Sequence, residues 1–182
     1  MSKESGMPAK GRLVFIDFEA SSLSRHSWPI ELGWTVVESY RVVHSNSRLI
    51  KPAPTWDVAD WSPVSEELHG ITLTMLERDG QSAHAVWQEF QSDLNGVDAL
   101  FCDAPAYDGF WCRRLGDAAG APGQGLHIRH FANLFSDMNR ALREWARAKR
   151  QYTAHRAGPD ALQLAHFFQD HSGSLHPIRD IL

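Results

Sequence analysis

Residues 12–20, Arg-Leu-Val-Phe-Ile-Asp-Phe-Glu-Ala, constrain what this chain can fold into more than any other stretch. Leu13 to Ile16 are apolar without a break and run straight into Asp17 and Glu19, with only Phe18 between them. So short and apolar a run reads as a central strand buried on both faces. Side chains alternate along a strand, so Asp17 and Glu19 point to the same side, roughly 7 Å apart. Two carboxylates buried side by side are costly unless they are protonated or share a cation. Either the strand has ended and both acids are solvated, or further carboxylates converge on this point.

The rest of the chain favours convergence. A turn-rich loop, 21–27, leads to Pro29 and a β-rich, alternating stretch over 30–37. A tight link through 38–41 then enters a third strand at about 42–50. Short links between successive strands predict an antiparallel meander. The segment 51–63 holds three prolines and two tryptophans and cannot be regular for long. Over 82–94, Val86, Phe90 and Leu94 form one helical stripe with Ala83 and Trp87 beside it, a core face rather than a base-stacking platform. A second buried strand, Ala99–Cys102, is followed by a helix from Pro105 to about Leu115, with Asp103 or Ala104 as its cap. The glycine-rich stretch 116–125 reads as a loop, and 126–128 as a short fifth strand. Met138–Lys149 is amphipathic, with Leu142, Trp145 and Ala146 inward and Arg140, Arg143, Arg147, Lys149 and Arg150 largely outward. Gly158-Pro159 opens a last helix through about Phe168. The order β-β-β-α-β-α-β-α-α predicts one α/β domain over 11–182, behind a frayed tail at 1–10, with its ligand crevice at the strand ends.

In that topology Asp108 falls in the first turn of the helix after the second buried strand, and Asp160 in the first turn of the last helix. His155 precedes Asp160 by five residues. Continuous helix would set them about 140° apart, but Gly158-Pro159 breaks it. His155 therefore lies on the approaching loop and can lean over the same pocket.

These segments resemble motifs of the DEDDh 3′→5′ exonucleases, the group of polymerase proofreading subunits, ribonuclease T and the oligoribonucleases. The matching stretches are Phe15-Ile16-Asp17-Phe18-Glu19-Ala20, Ala106-Tyr107-Asp108-Gly109-Phe110 and His155-Arg156-Ala157-Gly158-Pro159-Asp160-Ala161. Leu68-His69-Gly70-Ile71-Thr72 is similar to a segment common in proofreading members. Cys102-Asp103-Ala104-Pro105 departs from the His-Asn those members often carry. The resemblance implies a ribonuclease-H-like mixed sheet, with a three-strand antiparallel meander plus parallel strands, flanked by helices. It also implies hydrolysis of nucleotides from the 3′ end of single-stranded DNA or RNA with two Mg²⁺ or Mn²⁺ ions. By that resemblance Asp17 bridges both ions, Glu19 and Asp160 favour the ion that activates water, Asp108 holds the other, and His155 is the general base. The 3′-terminal nucleotide would lie against Ala20, Ser21 and Ser22. For His69, nucleotide contact and loop packing stay equally open.

The chemistry suits these residue types. Phosphodiester hydrolysis needs an activated water, neutralised phosphate charge and a stabilised leaving oxygen, which two cations about 3.5–4 Å apart supply. Hard cations take oxygen ligands, so a carboxylate cage is the expected protein part. Elsewhere, Asp103 reads as a helix cap rather than a ligand. His127 and His130 fall on different faces, and His166, His171 and His176 read as surface histidines. The basic run from Arg140 to Arg156 reads as a solvated helix face, with phosphate-backbone contact as the lesser reading.

Composition bounds the alternatives. The 182 residues are 43% hydrophobic, enough for one sizeable core, and a net charge of −4 argues against holding long nucleic acid by electrostatics alone. Two cysteines with no CxxC pair argue against a disulfide framework or thiolate zinc site. With no hydrophobic leader and no apolar stretch near 18 residues, a cytoplasmic protein without membrane association is the expectation. Whether it is a monomer or a homodimer is left open. A non-catalytic nucleic-acid-binding module on the same fold is the rival class, but such a module would be expected to lose part of the acid-histidine set, and none is missing. A further rival is an oligonucleotidase restricted to very short substrates.

Overall fold

The computed structural model describes residues 11–123, 125–150 and 155–175. The tail expected at 1–10 and His176 lie outside the described residues, as do residues 151–154 of the basic run. At the centre is strand β1, Arg12–Ala20, flanked by β2, Pro29–Glu38, and by β4, Ala99–Cys102. Strand β3, Arg41–Leu49, and strand β5, Ile128–His130, complete a five-stranded sheet of order β3-β2-β1-β4-β5. β1, β2 and β3 form the antiparallel meander, whereas β4 runs parallel to both β1 and β5. The expected mixed sheet is present, although the fifth strand starts at Ile128 rather than at Leu126.

Among the described residues six α-helices cover the sheet: α1, Pro63–His69; α2, Leu73–Asp79; α3, Ala83–Asp93; α4, Pro105–Ala118; α5, Met138–Lys149; and α6, Ala157–Asp170. Alternation along β1 divides the core between its two faces. Val14, Ile16 and Phe18 pack with Trp28, Trp34, Phe90, Trp111 and Leu115 on the side of α3 and α4. Leu13 and Phe15 pack with Phe101, Phe131, Trp145, Leu164 and Phe168 on the side of α5 and α6. Leu13, Val14, Phe15 and Ile16 are all essentially without solvent contact. Each such burial contributes about 1.5–3 kcal/mol. β2 is buried along nearly its whole length, because β1 and β3 flank it and α6 crosses one face.

The two helices α1 and α2 were not expected. Each spans seven residues, too short for a periodic stripe to stand out. Their capping signals are nonetheless present. Ser62 Oγ accepts from Ser65 N ahead of Pro63, Gly70 closes α1 at φ 67°, and Thr72 Oγ1 accepts from Met75 N. Two further helices differ from expectation. α4 continues to Ala118, into the stretch read as loop, and Gly116 packs against the Trp87 ring there. α5 is rotated about its axis, so that Ala141 and Trp145 are buried while Leu142 and Ala146 are exposed. Lys149 follows Trp145 by one turn on the same face and turns inward rather than to solvent.

Among the described residues, no helix is long and apolar enough to cross a membrane.

Candidate active site

Because Asp17 and Glu19 continue the alternation of Leu13 and Phe15, they emerge on the α5–α6 side of β1 at its carboxyl end. β4 runs parallel to β1, so its carboxyl end opens at the same edge, and α4 begins three residues after it. The crevice outside parallel strand ends is where α/β sheets bind ligands. Two helix starts meet there. Asp108 lies in the first turn of α4 and Asp160 in the first turn of α6, and both are buried, at 2% and 5% exposure. A carboxylate in a first helical turn is favoured by the backbone dipole.

The side chains gather into two groups that share Asp17. One oxygen from each of Asp17, Glu19 and Asp160 lies within 4.8 Å of the others, and so does one from each of Asp17, Asp103 and Asp108. Their proximity shows in their acidity. Burial, and then the neighbouring Asp108 and Glu19, hold the Asp17 carboxyl well above its ordinary value. Burial and Asp160 push Glu19 up to about 8. Burial pushes Asp108 up to about 7, although a hydrogen bond with Cys102 pulls the other way. Asp160 is raised by burial too, against the pull of Lys149 and His155.

Such a set fits a divalent cation. It offers only hard oxygen donors, and the buried Asp108 Oδ2 has no hydrogen-bond partner among the described residues. Burying that oxygen without a partner costs about 1–3 kcal/mol or more, which a cation in contact with it removes.

His155 stands at the open rim with its side chain 38% exposed, and its Nδ1 is 3.8 Å from Asp160 Oδ2. The loop that carries it is pinned from below. Arg156 donates from Nε and Nη2 to the two carboxylate oxygens of Glu31, at 2.9 and 2.8 Å, and the backbone N–H of Ala157 donates to Glu31 Oε2 at 3.0 Å. Glu31 sits on β2 directly opposite Glu19 and is 1% exposed. Sequence reasoning missed it, although an acid set within the buried stretch 30–37 was a signal.

Asp103 corrects the sequence reading. The residue at the α4 cap is Ala104, with no side-chain cap bond. Asp103 Oδ2 instead accepts from Trp145 Nε1 at 3.0 Å and from Lys149 Nζ at 2.8 Å, both on α5. Burial would weaken the proton affinity of Lys149, but Asp103, Asp17 and Asp160 together hold it above its ordinary value. Lys149 and Arg156 are thus committed to carboxylates rather than forming part of a solvated face.

The remaining candidates divide. Ala20, Ser21 and Ser22 lie beside the acids at the end of β1, but both hydroxyls are engaged within the protein. Ser21 Oγ accepts from Trp28 N, and Ser22 Oγ donates to Asp60 Oδ2 at 2.8 Å. His69 is 5% exposed, its Nδ1 accepts from Ile71 N, its ring lies edge-on to Trp61, and its buried Nε2 has no hydrogen-bond partner among the described residues. Burial lowers its pKa. His127 is exposed, while His130 caps the following turn by accepting from Ala132 N, so the two form no pair. His166 is exposed as expected. His171 is not a plain surface residue: it stacks on Phe167 at 4.1 Å and pairs with Glu144.

A five-stranded mixed sheet with a carboxylate-lined crevice at parallel strand ends, flanked by helices, is a ribonuclease-H-like α/β fold. Solved structures of E. coli exonuclease I share it. The complex with a 5cy-dA13 oligonucleotide superposes with a TM-score of 0.68 at 13% identity, over 90% of this chain and 41% of that one. The complex with dT13 gives 0.55 at 16% identity, over 68% and 28%, and a zinc-bound single-stranded DNA complex gives 0.54 at 14%, also over 68% and 28%. This chain therefore spans well under half the length of those proteins. No family model matches the sequence, and no curated protein matches it.

Proposed function

We propose that this chain is a metal-dependent 3′→5′ exonuclease that removes nucleotides from the 3′ end of single-stranded DNA or RNA, with residues 11–182 as one catalytic unit. The observation that carries this reading is the pair of carboxylate groups sharing Asp17, with the buried Asp108 Oδ2 left without a protein partner. The fold shared with exonuclease I, solved with single-stranded oligonucleotides, agrees with it.

Asp17, Glu19, Asp160 and Asp108 would hold two Mg²⁺ or Mn²⁺ ions, Glu19 and Asp160 belonging to one carboxylate group, Asp108 to the other, and Asp17 to both. Bound there, the ions would neutralise the phosphate and acidify the attacking water. His155 takes the proton of that water. Its position at the rim, on a loop fixed by the Arg156–Glu31 clamp, lets the imidazole face substrate while Asp160 lies 3.8 Å behind it. Asp160 then stabilises the imidazolium that forms. The terminal sugar would meet the backbone of Ala20–Ser22, since the hydroxyls of Ser21 and Ser22 are turned into the protein.

The test is hydrolysis of single-stranded DNA and RNA oligonucleotides by purified protein. Activity is expected to vanish in chelator and to return with Mg²⁺ or Mn²⁺ but not with Ca²⁺, which prefers looser coordination. A 3′-terminal phosphate should block it, and a 5′ phosphate should not. Full activity in chelator would overturn the metal-dependent reading.

A further inference from the structure

Asp103 lies at the junction of β4 and α4, with α5 on its other side. A carboxylate serving only to anchor α5 would not need to approach Asp17 and Asp108, whose negative charge repels it. Yet one oxygen of each of the three falls within the same 4.8 Å. Both donors from α5, Trp145 Nε1 and Lys149 Nζ, are taken by Oδ2. Among the described residues Oδ1 has no hydrogen bond. Beside it, Asp108 Oδ2 is fully buried and has none either. Asp103 and Asp108 thus each keep an oxygen free of hydrogen bonds among the described residues, and one oxygen of each lies within 4.8 Å of one from Asp17.

We propose that Asp103 is a fifth protein carboxylate of the metal centre, a ligand through Oδ1 to the ion held by Asp17 and Asp108. Trp145 and Lys149 are its outer support. They hold Oδ2 and so fix the direction of Oδ1, as partners behind a metal ligand commonly do. Lys149 has a second part in this arrangement: its ammonium and two divalent cations together balance five carboxylates. The inference rests on the metal-cage reading above and adds to it a ligand that the four-acid set does not contain.

The test is calorimetric titration of Mn²⁺ into metal-stripped full-length protein, alongside anomalous diffraction from Mn²⁺-loaded crystals of the unsubstituted protein. The unsubstituted protein is expected to bind two ions. Asp103→Asn should weaken one of them by about tenfold or more and leave the other unchanged. Asp17→Asn should weaken both. In the crystal, one Mn²⁺ should lie within about 2.4 Å of an Asp103 oxygen. Unchanged affinity for both ions in Asp103→Asn, or both Mn²⁺ peaks more than about 3 Å from Asp103, overturns the proposal. If Asp17→Asn binds Mn²⁺ normally, the cage reading itself fails instead. Should Asp103→Asn not fold, the Mn²⁺ positions in the unsubstituted protein still decide.

Discussion

Asp17 belongs to both carboxylate groups, and the neighbouring His155 belongs to neither, so their substitutions should separate cleanly. Removing a positioned base costs about 10²–10⁴-fold in rate. His155→Ala should lose single-turnover rate in that range while Mn²⁺ affinity measured by calorimetry stays within about twofold. Joint loss of rate and metal binding would make the imidazole a ligand, and loss of neither would remove it from the mechanism. The four acids and this histidine were legible in the sequence because each sits at a recognisable place: two alternate on one strand, and two open helices. Asp103 was not, because a residue ahead of a helix has an adequate local role as cap. Its actual partners are 42 and 46 residues away, where no spacing argument reaches.

The first turn of α6 reaches the crevice only because β2 is bare at one position. Gly33 pairs with Asp17 across the sheet, and a Cβ there would meet the Ala157 carbonyl oxygen at 2.1 Å and Gly158 N at 2.5 Å. These contacts are backbone and have no side chain to swing away. Gly33→Ala is therefore expected to destabilise by about 1–3 kcal/mol, the usual cost of overpacking. It should also push Asp160 and His155 away from Asp17, so activity should fall further than the stability loss explains. Thermal melting together with activity assayed well below the melting point checks this, and an unaffected variant would mean that α6 does not bear on β2 as described. The strands and α3 were legible through periodicity. The rotation of helix α5 differs from the expectation because Leu142 has the apolar pattern of an inward residue, whereas the half-buried Asp103 carboxylate is met by Trp145 and Lys149. That constraint comes from the tertiary structure and leaves no trace in the hydrophobic pattern.

The molecule as a whole concentrates negative charge at one edge of its sheet, and this sets how stability should follow pH. Glu19 at about 8 and Asp108 at about 7 stand above ordinary values of 4.5 and 3.8. Carboxyls raised by folding contribute stability that is full below their ordinary values and lost as pH climbs through the raised ones. Without metal, the melting temperature should therefore fall from about pH 4 to about pH 8. Mg²⁺ should raise it, and increasingly so toward high pH, because the ligands must be deprotonated to bind. Scanning calorimetry with and without chelator measures both trends. A metal-free protein that gains stability from pH 6 to 9 would show that the acids do not repel as described. The most direct measurement of the central claim is a time course on a single-stranded oligonucleotide labelled at its 5′ end, with Mn²⁺ present. The account predicts a ladder of labelled products that shortens one nucleotide at a time from the 3′ end, and no products with Asp17→Asn. Release of the label as a mononucleotide at the earliest times, cleavage of a circular strand, or an unchanged ladder with Asp17→Asn would contradict it.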